Sequence, residues 1–129
     1  MAQWKALERE VAAFFKGTRR VRVSYSDKIG DIIHPSLSIE CKYGKQVPKY
    51  LMPDKTTILT VGLSQYVIVH SSVFPDPIVP TQFIFGKAVF LEDAMEQARR
   101  YNPTLKPIVC VKGRYSSGFW IIQNRTMST

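Results

Sequence analysis

Trp4, Leu7, Val11, Phe14 and Phe15 recur at the spacing of one helix face, while Lys5, Arg9 and Lys16 fall opposite. Residues 3 to 16 are therefore expected to form an amphipathic helix, ended by Gly17. Val21 to Tyr25 alternates as a strand, Ser26-Asp27-Lys28 marks a turn, and Gly30 to His34 reads as a second strand closed by Pro35-Ser36. Leu37 to Lys42 then alternates strictly, with Leu37, Ile39 and Cys41 on one face and Ser38, Glu40 and Lys42 on the other. Further strand-like runs are Thr57 to Leu63, Gln65 to His70 and Phe83 to Phe85, punctuated by Pro53, Pro75, Pro77 and Pro80. Leu91, Ala94, Met95 and Ala98 predict a second helix to Tyr101, with Glu92 and Asp93 in its first turn, where acids suit the helix dipole. Pro107 to Lys112 and Phe119 to Gln123 complete the pattern as two strands around a Gly113 to Gly118 turn. The order predicts an α/β domain with a mixed central β-sheet flanked by helices. Residues 1–129 read as one domain, with 51–86 as a β-rich insertion forming a hairpin or extended arm.

Composition narrows the class. In 129 residues, 45% hydrophobic and 12% aromatic, there is enough apolar material for a folded core. The formal net charge of +8 favours a polyanionic partner, nucleic acid first. That charge is divided as +5 over residues 1–50, −1 over 51–86 and +4 over 87–129, so the ends are expected to meet DNA. Cys41 and Cys110 have apolar or β-branched neighbours, the setting of reduced core cysteines, and a disulfide framework is not expected. Residues 56–75 carry no charge, but Thr57, Thr60, Gly62, Ser64, Gln65, His70, Ser71 and Ser72 interrupt them, which makes the stretch poor transmembrane material. No apolar leader with a cleavage site begins the chain, so the expectation is a soluble cytoplasmic protein.

The chemistry-bearing residues lie around the first hairpin. Hydrolysing a phosphodiester requires neutralised phosphate charge and an activated water, and a divalent ion held by carboxylates can serve both. Asp31 and Glu40 stand on consecutive predicted strands, nine residues apart, with a turn between them, and Lys42 shares the Glu40 face. The Lys42 ammonium is placed to hold the attacking water or a phosphate oxygen. His34 and His70 read as strand-end and core or surface residues, with no metal role.

Gly30-Asp31-Ile32-Ile33 followed by Ile39-Glu40-Cys41-Lys42 resembles the PD-(D/E)xK nuclease signature, with Gly30 where proline is common. Within that superfamily the chain resembles archaeal-type Holliday junction resolvases, which are also phage-encoded. The resemblance implies a restriction-endonuclease-like core and covers roughly residues 4–50 and 87–123. It also implies that Glu8 of Glu8-Arg9-Glu10-Val11 joins Asp31 and Glu40 in holding Mg²⁺ or Mn²⁺. On the helical wheel Glu8 lies nearer the centre of the apolar stripe than Glu10 does. Ser24 and Ser26 resemble the family's serine-bearing loop near the scissile phosphate. Gln97-x-x-x-Tyr101 resembles a short motif of other nucleases in the superfamily, and is read here as helix surface.

These readings converge on a metal-dependent endonuclease that cuts branched DNA, with a homodimer supplying two sites to a two-fold four-way junction. Phosphate contacts are expected from Arg9, Arg19, Arg20, Arg22, Lys28, Lys45, Lys49, Arg99 and Arg100. Alternatives are another PD-(D/E)xK nuclease acting on flaps or ends, and a non-catalytic basic domain stacking bases on Tyr25, Tyr43, Tyr50 and Tyr115. The uncharged stretch 56–75, with Tyr66 and Ile68, is expected either in the dimer interface or in the subunit core.

Overall fold

A computed structural model describes residues 3–16, 18–19, 32–74, 80 and 82–125. The amphipathic start of the chain forms α1 (Gln3–Phe14). It stops before the predicted glycine, because Lys16 itself takes the left-handed conformation at φ 57° that breaks the helical ladder. A short antiparallel ribbon follows, β1 (Thr18–Arg19) with β2 (Ile32–Ile33). The predicted strand 21–25 and the Ser26 to Lys28 turn lie outside the described residues.

The strictly alternating segment is β3 (Leu37–Tyr43). After it come a single 3₁₀ turn at Lys49–Leu51 and then β4 (Thr57–Val61), β5 (Ser64–His70) and β6 (Gln82–Phe85). The chain continues through α2 (Val89–Tyr101), β7 (Lys106–Lys112) and β8 (Trp120–Asn124). Strands β3 to β8 make one mixed sheet in the order β3-β7-β8-β5-β4-β6. β3 runs parallel to β7 and β6 parallel to β4, while the three pairings between β7 and β4 are antiparallel.

The sheet is packed on both faces because its inner strands are apolar on both. Ile108, Cys110 and Ile121 meet Leu7 and Val11 of α1, together with Ile39 and Phe119. Val109, Val111 and Ile122 meet Leu91, Ala94 and Met95 of α2. β7 is accordingly buried from Pro107 to Val111, the continuous run expected of a strand covered on two sides. Burial also pushes the Cys110 thiol up, out of the range where it ionises near neutrality.

Segment 51–86 departs from the expected arm. β4 and β5 do form a hairpin, turning at Gly62 (φ 60°), but β5 pairs with β8 from Tyr66↔Asn124 to His70↔Trp120 and so lies inside the sheet. Tyr66 and Ile68 are buried in the α2 cluster. The strand residues of the uncharged run, Tyr66 and Ile68 among them, therefore lie in the core of this chain, which corrects an interface through those two residues, while Leu63 and Val73 remain exposed. Among the described residues no helix is long and apolar enough to cross a membrane.

Candidate active site

Among the described residues β3 borders the six-stranded sheet, paired there with β7. Its alternation, in register with β7 at Glu40↔Val109 and Lys42↔Val111, turns Ser38, Glu40 and Lys42 to the α2 side. Ile39 turns to the α1 side. The Ser38 hydroxyl donates to the Ala98 carbonyl, fastening the last turns of α2 across the start of β3.

Glu40 is only 6% exposed, although a carboxylate withdrawn from water requires compensating charge or hydrogen bonds. Part of that compensation is the Lys42 ammonium, 3.9 Å from Glu40 Oε1. The strand thus presents an acid and a base on one face of an edge.

On α1, Glu8 is the inward acid, at 4% exposure. Glu10 takes a different role: it is half-buried and receives the Lys112 ammonium at 3.1 Å, tying α1 to the end of β7. α1 lies against β3 and the β1–β2 ribbon on the face to which Ile39 turns, so its buried Glu8 and the buried Glu40 of the α2 face stand on touching elements but on different sides of β3.

Asp31, Ser24 and Ser26 lie outside the described residues, as do Arg20, Arg22 and Lys28; Arg19 is described in β1 as backbone alone. Among the described residues no group of three His, Cys, Asp or Glu could hold a metal. Glu8 and Glu40 nonetheless supply hard oxygen donors of the kind Mg²⁺ and Mn²⁺ prefer.

The remaining expected cations divide by environment. Arg9, Lys45 and Lys49 are exposed, and the turn at Gly44 (φ 99°) puts Lys45 directly after β3. Arg99 and Arg100 both approach Glu96 on their own helix, at 3.6 and 3.7 Å, which reduces the charge they offer a phosphate. Of the tyrosines considered for stacking, Tyr43 and Tyr50 pack against the two cores. Tyr115 is 94% exposed beside Arg114. Tyr25 is outside the described residues.

Two features escaped the sequence reading. Gln97, expected on the surface, has a buried Oε1 that accepts no hydrogen bond among the described residues. His34 is an organised hydrogen-bonding centre between α1 and β3. A polar residue at a helix flank carries no local signal of burial, and a histidine before Pro-Ser reads simply as a turn. Comparison with protein-family models, curated proteins and solved structures returns no match, so the site rests on its own residues.

Proposed function

We propose that this protein is a divalent-metal-dependent endonuclease of restriction-endonuclease-like architecture that resolves four-way DNA junctions. The observation that carries the reading is the buried Glu40 with Lys42 beside it on one face of β3, in a +8 chain whose α1 carries a second buried acid, Glu8. An acid withdrawn from solvent next to a lysine is costly for a fold and is the arrangement phosphodiester hydrolysis uses.

In this reading Glu8, Asp31 and Glu40 hold Mg²⁺ or Mn²⁺, which when bound supplies charge neutralisation at the scissile phosphate. Glu40 orients the attacking water, and the Lys42 ammonium donates to that water or to a phosphate oxygen. Ser24 and Ser26 complete the phosphate contacts. Exposed Arg9, Lys45 and Lys49 hold the duplex arms by their backbones, joined by Arg19, Arg20, Arg22, Lys28, Arg99 and Arg100. A two-fold junction has two strands to cut and one chain has one such site, so the active species is a homodimer.

The competing picture of base stacking on four tyrosines has little support, because Tyr43 and Tyr50 belong to the cores. The deciding experiment compares labelled four-way junction, flap, duplex and single-stranded DNA, each with Mg²⁺ and with EDTA. Paired nicks in the junction that vanish with EDTA are the expected result. Preference for flaps or ends would assign a different nuclease, and binding without any cleavage would contradict the reading.

A further inference from the structure

We infer that β6 is the contact by which two copies of this chain join, its open edge pairing antiparallel with β6 of the second copy around a two-fold axis at Ile84. This locates the homodimer of the reading above, but it is measured without DNA or metal, so it stands or falls separately from cleavage.

β6 ends the six-stranded sheet on the side opposite β3, and among the described residues β4 is its pairing partner. Across a parallel pair, alternate residues of a strand bond to the neighbour. Gln82 N–H donates to the Thr56 carbonyl at 3.3 Å and Gly86 N–H to the Thr60 carbonyl at 3.1 Å, so the even-numbered residues of β6 face β4. The N–H and C=O groups of Phe83 and Phe85 therefore point away from the sheet. Their side chains are also outside the core: Ile84 packs against the α2 cluster, whereas Phe83 and Phe85, on the other face, are 64% and 81% exposed. Sheet edges that stay unpaired are commonly guarded by a lysine, a proline or a bulge. Gln82-Phe83-Ile84-Phe85 has none of these, and its register with β4 runs unbroken.

Two properties select a second copy as the occupant of this edge. The first is charge. Residues 1–50 carry +5 and 87–129 carry +4, against −1 over 51–86, so two copies of a +8 chain meet with least repulsion through the segment that holds β6. The second is symmetry. With Ile84 on the axis, Phe83 of each copy stands opposite Phe85 of the other, and these are the residues whose backbone groups point outward. Each facing pair then exchanges both of its N–H···O bonds, and Ile84 meets its own counterpart as the intervening non-bonded pair. The same pairing sets aromatic rings beside one another on one face, a combination that strengthens antiparallel strands. The exposed phenylalanines of both copies offer roughly 600 Å² of apolar surface, the low end for a specific interface, so a dimer that dissociates at micromolar concentration is expected.

Sedimentation equilibrium of the DNA-free protein from about 1 to 100 µM tests the pairing. Wild type is expected to pass from monomer to dimer in that range. Phe83→Lys with Phe85→Lys puts like charges opposite each other across the axis and is expected to weaken the dimer by roughly 100-fold or more. Phe83→Lys with Phe85→Glu puts unlike charges opposite each other and is expected to restore dimerisation to within about tenfold of wild type. Both positions are exposed, so circular dichroism is expected to show the wild-type fold in each variant. Ile84→Cys supplies a measurement that needs no charge: non-bonded antiparallel partners lie within disulfide reach, so mild oxidation is expected to link two copies well beyond what wild type, with Cys41 and Cys110 alone, allows. This variant decides the matter if the charged ones do not fold. Wild type that stays monomeric at the highest concentration overturns the inference. So does a folded doubly basic variant that dimerises like wild type, an acid-base variant as weak as the doubly basic one, or Ile84→Cys that forms no linked dimer.

Discussion

At the scale of single residues, the account turns on polar groups taken out of water. Glu40 Oε1 has a lysine at 3.9 Å, and Gln97 Oε1 is buried without a hydrogen bond among the described residues. An unsatisfied buried acceptor is worth about 1–3 kcal/mol of lost stability, and an apolar side chain of similar length removes the cost. Gln97→Met is predicted to raise the thermal midpoint by roughly 4 °C in calorimetry, about 1 kcal/mol for a domain of this size. A lowered midpoint would mean that the amide makes a bond the fold depends on. The Glu40-Lys42 pair was legible in the sequence because alternation on a strand fixes which side chains share a face. The burial of Gln97 was not, since it lies one position before Ala98, outside the repeat of Leu91, Ala94, Met95 and Ala98. The roles of His34 were hidden for another reason: one of its partners, Phe15, is 19 residues away, and that proximity is created only by folding.

At the scale of elements, periodicity located α1, α2, β3, β7 and β8 close to where they stand, because each has a clean apolar repeat. What periodicity could not assign was partnership. The break in charge and the prolines around residues 51–86 suggested an appended arm, yet β5 joins β8, a pairing between distant parts of the chain that no local pattern encodes. Ile68, at the centre of that pairing opposite Ile122, is fully buried. Ile68→Asp would bury an unpaired charge and is predicted to cost about 4 kcal/mol or more, leaving the protein unfolded or nearly so in urea titration. A folded monomer from this substitution would return the segment to a dimer interface. At Gly118, φ 68°, the space for a Cβ is also closed off by His70 and Ser71 at 2.8 Å, so that turn accepts no side chain without displacement.

At the scale of the whole molecule, the proposed nucleic-acid partner would meet a chain of charge +8, and that makes a quantitative demand. Binding to a four-way junction is predicted to weaken linearly in log salt, by about 0.9 for each phosphate neutralised. Replacing exposed Lys45 and Lys49 together with alanine is expected to flatten that slope by roughly 2, read by fluorescence anisotropy. An unchanged slope would place the DNA elsewhere on the surface.

The central claim is that the buried acids and Lys42 perform chemistry rather than hold the fold, and it is tested most directly by cleavage of a labelled four-way junction in Mg²⁺ by Glu40→Gln and Lys42→Ala, beside junction binding by the same proteins. Loss of cleavage by a factor of roughly 100 or more, with binding within about threefold of wild type, is the predicted result. Cleavage at the wild-type rate by either folded variant would contradict it.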